Sequence, residues 1–244
     1  MRLTCVFLVF ALLWSAPAWG WESAREVIHG SARVLEKGET IIGVVSPLAY
    51  GVHERVTLFT HPALWLLLTP NLWFRLSLLR STVGLALDAG YQQSFLGLQD
   101  TGSDSSQGSY PGFVQGGLSY SHQILRDIQL NLAVGYFAEF QDKNTGSDRN
   151  GVYYRGGGHF LFTGRYLLMA EIRGQVTSGG DWSTPTGTLV FAWQAGRLRV
   201  GAGACVGDFV IATGDMKVDK ITGDSVADTV TLPVYPWVDV WWRF

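Results

Sequence analysis

Eight charged or titratable side chains are spaced so that neighbouring segments could bring opposite charges together. They are Arg75, Asp88, Glu139, Arg155, His159, Glu171, Arg173 and Arg199. Charges are scarce in this chain, since only 16% of its residues are charged. Away from bulk water such groups must be paired or hydrated. Their chemistry is therefore the binding or sorting of ions and polar solutes, or the cross-linking of a polar interior.

Hairpin geometry predicts which of these side chains meet. Each pair is found by counting back along both strands from the connection between them. The predicted partners are Arg75 with Asp88, Glu139 with Arg155 (Tyr154 lying opposite Glu139), and His159 with Glu171 (Ala170 lying opposite His159).

A nucleophile and its general base are harder to find. Ser121 and His122 are adjacent, but neighbours along a strand point to opposite faces, so they cannot form a nucleophile–base pair. His159 has Glu171 to orient it and no serine at the matching height. With only two cysteines in the chain, a cysteine-rich zinc site is excluded. We therefore expect no catalytic residue, no metal and no cofactor, and a protein that is not an enzyme.

The segments that must position these side chains alternate between apolar and polar residues. Period two holds over residues 83–93, 128–141, 166–177 and 198–206. These runs are longer than an ordinary strand and have the length that a tilted strand needs to cross a bilayer. The pattern predicts antiparallel strands with one apolar face and one polar face.

The connections between these segments alternate between short and long. Tight polar turns at residues 79–81, 125–127, 164–165 and 195–197 are separated by longer stretches rich in Gly, Ser, Asp and Asn. This order is typical of a meander with turns at one rim and loops at the other. The predicted fold class is all-β, a transmembrane antiparallel up-and-down β-barrel.

We predict about twelve strands. Eight are expected at residues 82–95, 111–123, 128–142, 151–163, 165–178, 186–195, 197–213 and 229–244. The first four are expected at 26–35, 40–50, 55–68 and 72–79. Residues 26–35 also read as a short helix, because Val27, Ile28, Val34 and Leu35 share one helical face. Ten strands are the alternative, if residues 40–79 form two longer, irregular strands.

The amino-terminal residues predict export. A positive start at Arg2, an apolar run at residues 6–14 and small residues at Ala16 and Ala18 are typical of a cleaved signal peptide. The run is too short to cross a membrane as a helix. The expected division is a signal peptide over residues 1–20, a lead-in or first strand over 21–38, and the barrel over 39–244.

The composition fits this class. The 244 residues include 10 Trp, 9 Tyr, 13 Phe and 30 Gly, with a net charge of −2. So many aromatic residues exclude a disordered chain. A nucleic-acid partner is not expected, because phosphate contacts need a basic surplus.

The carboxyl-terminal residues carry a more specific pattern. Phe244 is preceded at every second position by Trp242, Val240 and Val238. This pattern resembles the terminal-strand signal of bacterial outer-membrane β-barrels, which their insertion machinery reads. The resemblance implies a Gram-negative outer membrane with both termini periplasmic, and it implies outer-membrane lipid and the insertion machinery as partners.

A second resemblance covers about forty residues. Residues 50–56, 60–62 and 70–71 look similar to uncharacterised outer-membrane barrels of a transporter-like family. This resemblance implies a fold rather than a substrate.

The expected function is therefore passive. We expect a porin-like channel or transporter for small solutes, with a narrow charged lumen. The alternative is a closed structural or surface-interaction barrel that acts through its outer loops. An outer-membrane lipid hydrolase is the third and weakest reading. The oligomeric state, the solute and the openness of the lumen are not readable from the sequence.

Overall fold

Antiparallel pairing of consecutive strands organises the whole chain. The computed structural model describes residues 21–44, 46–66, 68–93, 112–140, 149–180, 182–183, 185–218 and 225–244. Within them, twelve strands form a closed up-and-down barrel with almost no helix. The strands are β1 (Thr40–Gly43), β2 (Leu48–His53), β3 (Val56–Thr60), β4 (Asn71–Arg80), β5 (Val83–Gln93), β6 (Gly112–Leu125), β7 (Ile128–Phe140), β8 (Arg149–Phe162), β9 (Tyr166–Thr177), β10 (Thr186–Ala195), β11 (Leu198–Val218) and β12 (Ser225–Arg243).

The barrel has a turn end and a loop end. Five tight connections, at residues 54–55, 81–82, 126–127, 163–165 and 196–197, lie at the turn end. The first and last strands meet at the turn end. There the Thr40 amide donates to the Phe244 carbonyl at 3.1 Å, and the Phe244 amide donates to the Thr40 carbonyl at 2.8 Å. The predicted signal peptide and the longer connections at 94–111, 141–148 and 219–224 lie outside the described residues.

The alternation in sequence becomes two faces of the wall. On β7, Leu130, Leu132, Val134 and Tyr136 point outward with 43 to 57% of their surface exposed. The residues between them point into the barrel, and most are buried. The same division on the other long strands produces an apolar exterior and a mixed interior, as period two requires.

The predicted count of twelve strands is confirmed, but the first three strands begin and end at other residues than predicted. The strand expected over residues 26–35 is wrong, because no strand lies before Thr40 in the described part. Residues 40–50 instead form two strands, β1 and β2, separated at Ser46 and Pro47. The strand expected over 55–68 stops at Thr60, where Pro62 opens a short helix, α1 (Pro62–Leu66), because proline fits the first turn of a helix and donates no ladder bond.

The residues before β1 enter the barrel at its turn end. Residues 21–39, here called the plug, begin with a single 3-10 turn at Ala24–Glu26, capped reciprocally by Ser23 and Glu26. The apolar core of the protein lies between the plug and the inner wall. It contains Trp21, Val27, Ile28, Leu35, Ile41, Ala49, Leu161, Leu167, Ala192 and Trp241. Neither helical element of the described residues is long and apolar enough to cross a membrane.

Candidate functional site

The plug is bonded to the turns that surround it. The Trp21 amide donates to the Gly164 carbonyl at 2.7 Å, and the Ala24 amide donates to the Arg126 carbonyl at 3.1 Å. The Arg25 guanidinium donates to the Ser81 carbonyl at 2.6 Å. Three successive tight turns therefore hold the plug across the turn end of the lumen.

Deeper in the lumen, side chains of the wall accept the hydrogen bonds of plug amides, as the carbonyls of a neighbouring strand would do in a sheet. The Ala32 amide donates to Ser121 Oγ at 2.7 Å, and the Leu35 amide donates to Thr57 Oγ1 at 2.8 Å. Both hydroxyl side chains are fully buried. Gly51 is needed beside them, because a Cβ at that position would overlap the Glu36 carbonyl of the plug. Hydroxyl groups of the wall thus accept hydrogen bonds from plug amides that are buried in the lumen away from water.

Neutral polar side chains form the wall behind this contact. Ser121 Oγ donates to Asn131 Oδ1 at 2.7 Å, and Gln129 Nε2 donates to the same oxygen at 3.0 Å. Asn131 Nδ2 lies 3.3 Å from His159 Nδ1. All four side chains are buried, so this network stabilises the turn end through satisfied hydrogen bonds rather than through charge.

Arg33 makes three polar contacts between plug and wall. Its guanidinium donates to the Ser81 carbonyl at 2.8 Å, to the Thr82 carbonyl at 3.1 Å and to Gln129 Oε1 at 3.4 Å. Burial lowers its pKa to about 10, with Arg25 acting in the same direction. It therefore stays protonated at pH 7, and its charge is shared among three oxygen acceptors.

His29 lies at the tip of the plug and is neutral at pH 7. Burial lowers its pKa to about 4; Arg199, Arg75 and His61 act in the same direction, and Asp239 opposes them. Its ring stands edge-on to Trp241, with 5.7 Å between the ring centroids. Protonating His29 would place a new positive charge near Arg199 and Arg75, so this group couples the plug to pH.

Beyond the plug tip the lumen contains a cavity of about 750 Å³. Its floor is the segment 28–30, and its wall reaches Ser183 and Thr186 towards the loop end. Five of the eight side chains singled out from the sequence line it. They are Arg75, Asp88, Arg155, Glu171 and Arg173.

The charges of the cavity wall are organised in pairs. Arg75 Nε donates to Asp88 Oδ1 at 2.6 Å, and the same guanidinium reaches the plug carbonyl of Arg33 at 3.1 Å. Arg155 Nε lies 3.6 Å from Glu171 Oε2. Arg173 lies opposite Arg155 on the neighbouring strand β9, and its side chain is exposed to the lumen. Arg75 thereby joins the plug to the charged wall.

The other three predicted residues lie elsewhere on the inward face. His159 belongs to the network under the plug, and Arg199 is buried over the Trp21 ring at 5.5 Å. Glu139 lies near the loop end of β7, in register with Arg149. The structure therefore brings five of the eight together and places one at the loop end and two beside the plug.

Two of the three predicted pairings are wrong. Arg155 is in register with Ala133 rather than near Glu139, because the β7–β8 connection lies at 141–148, two residues earlier than the predicted 143–150. His159 lies opposite Met169 rather than Ala170, a shift of one residue. The pairing of Arg75 with Asp88 is as predicted, and Arg155 takes Glu171 as its partner.

Ser121 and His122 lie on opposite faces, as alternation requires. Ser121 is buried beneath the plug, and His122 stands outside next to the Tyr120 hydroxyl at 3.2 Å. Among the described residues no group of three His, Cys, Asp or Glu side chains is placed to hold a metal ion.

The residues of the predicted terminal-strand signal form an apolar outward face at the end of β12. Val238 and Phe244 are 60% and 54% exposed, and Val240 and Trp242 are partly exposed between them. The alternate residues Asp239 and Trp241 are buried in the lumen. Asp239 Oδ2 accepts a 2.8 Å bond from the Ser46 amide in the β1–β2 connection.

Sequence reasoning missed the plug and the neutral network that receives it. Ser121, Gln129 and Asn131 are uncharged polar residues at neighbouring inward positions of β6 and β7, where their groups can bond a backbone segment inside the lumen. The box formed by Ser23 and Glu26 is a helix-start pattern in a segment predicted to be a lead-in or first strand, with a short helix over 26–35 as the alternative. These two signals together could have identified residues 21–39 as a lumen segment.

No protein-family model and no curated protein matches the chain. Among the solved structures that match are two of the outer-membrane protein OmpT of Vibrio cholerae. The form folded in vitro has 10% identity and a TM-score of 0.47 over 81% of this chain, and the form expressed in the outer membrane has 11% and 0.47 over 81%. The chain spans 63 to 64% of the length of those proteins. The barrel assignment rests on the strand pairing of this chain.

Proposed function

We propose that the chain spans the outer membrane of a Gram-negative bacterium, with its turn end and both termini in the periplasm. The apolar outward face of the long strands supports this placement, since large side chains such as Leu132, Leu189 and Val238 expose more than half of their surface. Burying such a surface in hydrocarbon is favourable by about 25 cal/mol per Å². The terminal residues of β12 supply the outer edge that the insertion machinery would read.

Within that membrane, we propose a channel for small solutes that is gated by the plug. The observation that carries this proposal is the charged cavity of about 750 Å³, whose floor is the plug tip at residues 28–30. A solute entering from the loop end meets Arg75, Asp88 and Arg155 before it meets the plug. Passage to the turn end then requires the plug to move.

The way the plug is held allows such a movement. Its bonds run to turn carbonyls and to wall side chains such as Ser121 and Thr57. The plug itself has no strand pairing, and the pairing with β2 and β12 begins only at β1, which follows the plug. Residues 21–35 can therefore leave the lumen without breaking any strand pairing of the barrel.

Conductance in planar lipid bilayers tests the proposal. We expect the full chain to show infrequent, small steps, and a variant lacking residues 22–38 to show steady, larger ones. Arg165→Gln, an exposed turn position far from the cavity, is the control and should behave as the full chain. Silence from every folded form would contradict the channel.

A closed barrel is the second candidate, and the apolar contact of the plug favours it. Trp21, Val27, Ile28 and Leu35 are at most 4% exposed against the wall, which resists displacement. In that case the full chain stays silent and only the shortened variant conducts. Steps from the full chain that change ion selectivity in Arg155→Ala would exclude this candidate.

A further inference from the structure

Two arginines of the cavity wall are placed side by side. Arg155 on β8 and Arg173 on β9 are directly opposite in register, on the same inward face. Like charges directly opposite on neighbouring strands are unfavourable. Glu171 reaches only one of them, at 3.6 Å from Arg155 Nε. This part of the wall has room for one more negative group.

The cavity also presents buried N–H groups that make no hydrogen bond to the described residues. The indole Nε1 of Trp73 has no acceptor among them, and Arg155 Nε has only the Glu171 carboxylate, 3.6 Å away. Both residues line the cavity. Native structures rarely leave buried donors unsatisfied without a functional reason. Two such donors in one cavity indicate a ligand with oxygen acceptors.

The remaining wall is aromatic and flat. The Arg75 guanidinium lies 5.1 Å above the Phe59 ring. The ring of Trp73 covers Gly90, and Tyr153 lies across Gly135, positions where a Cβ would overlap those rings. These surfaces suit an aromatic or aliphatic body, and the volume of about 750 Å³ suits a small molecule.

The charge balance limits the ligand to one negative charge. Three arginines and two carboxylates line the cavity, so a single anion neutralises them. A doubly charged group would face repulsion from Asp88 and Glu171. Arginine presents a planar fork that matches a carboxylate.

From these observations we infer that the cavity binds a small monocarboxylate with an aromatic or apolar body, the carboxylate between Arg155 and Arg173 and the body against Trp73 and Tyr153. This inference rests on the proposed role of the cavity as a solute site. It names the class of solute that the channel would take.

Calorimetric titration of the folded full chain in detergent micelles tests the inference. Benzoate is the probe, and benzyl alcohol, benzylamine and phenyl phosphate have a similar body with a different charge. We expect benzoate to bind at least about tenfold more tightly than each of the other three, the difference that one charge-assisted hydrogen bond provides. Equal binding of benzoate and benzyl alcohol would overturn the carboxylate, and tighter phenyl phosphate would overturn the single charge.

Opposite substitutions make the test independent of folding losses. Arg155→Gln should weaken benzoate binding about tenfold, and Glu171→Gln should tighten it because a competing carboxylate is removed. Arg165→Gln removes one positive charge outside the cavity and should leave binding unchanged. Heat-modifiable gel migration verifies that each variant is folded. An unchanged affinity in both cavity variants would contradict the site.

The result separates the two proposals. Binding measured in micelles does not require a continuous path, so benzoate can bind while bilayer conductance is absent, which would contradict only the channel. Conductance without benzoate binding would contradict only the inferred ligand.

Discussion

The two halves of the lumen are built from the same alternating strands but are filled differently. At the turn end the inward positions of β6 and β7 carry the neutral groups Ser121, Gln129 and Asn131, and the plug occupies the space; Arg199 and Arg243 contact the plug from β11 and β12. Towards the loop end the inward positions carry Arg75, Asp88 and other charges around a cavity. Neutral donors and acceptors suit a buried backbone partner, whereas charges suit an aqueous one. On β6 and β7 the type of inward residue therefore indicates what fills the lumen at that height.

Arg33→Ala should weaken the turn-end half most. It removes a buried guanidinium that bonds three oxygens of the wall, and we expect the free energy of unfolding to fall by about 2 to 3 kcal/mol. Urea unfolding followed by tryptophan fluorescence measures the change. Arg25→Ala is the matched control, because its exposed guanidinium bonds the same Ser81 carbonyl and should cost less than 1 kcal/mol. Equal losses in both variants would show that burial of Arg33 is unimportant.

Acidification should also loosen the plug. The pKa of His29 is lowered to about 4 in the folded barrel from an ordinary value of 6.5, so the unfolded chain binds the proton more readily. Stability is therefore complete above pH 6.5 and falls towards pH 4, by at most about 1.4 kcal/mol for each pH unit.

The measurement is the urea midpoint between pH 7 and pH 5. His29→Gln should reduce that dependence, while His53→Gln, at an exposed turn-end position, should retain it in full. If His29→Gln keeps the full pH slope, another group is responsible.

Ser121→Ala should have a smaller effect in the same half. It removes the acceptor of the Ala32 amide and a donor to Asn131, and each lost bond in a buried site costs about 1 kcal/mol. Plug protection measured by amide hydrogen exchange at Ala32 should fall with it. Ser178→Ala, at an exposed loop-end turn, is expected to change neither quantity, and slow exchange in Ser121→Ala would contradict the assigned bond.

Arg173→Gln should leave stability nearly unchanged and alter only the loop-end half. Its side chain is exposed within the lumen, so we expect less than about 0.5 kcal/mol. In the shortened variant lacking residues 22–38, the same substitution should shift the reversal potential towards cations. A loss of stability with unchanged selectivity would place Arg173 in a structural role instead.

Much of the wall could be predicted from the sequence, for a physical reason. A strand with one apolar face must alternate, and a slip of one residue reverses both faces. The strands at residues 128–140 and 166–177 can therefore be predicted from the local sequence alone. The break in 40–50 is harder to predict, because apolar residues continue on both sides of it, although Ser46 and Pro47 mark a turn.

The pairs across connections were less predictable. Glu139 and Arg155 flank a connection whose position along the chain no local rule determines, so the register could not be derived by counting. The tight hairpin between Arg75 and Asp88 leaves little freedom, and there counting succeeded. The plug has no period at all, because its partners Ser121, Thr57 and Ser81 come from different strands and turns.

The bond between Arg243 and the plug has a consequence for how the protein folds. Arg243 Nη1 donates to the Glu26 carbonyl at 2.9 Å across 217 residues of chain, and its Nε also donates to Glu39. Contacts of such high sequence separation are costly in loop entropy and slow to form. A segment that precedes β1 is thus held by a residue near the end of β12, so we expect barrel closure and plug capture to be completed together, late in assembly.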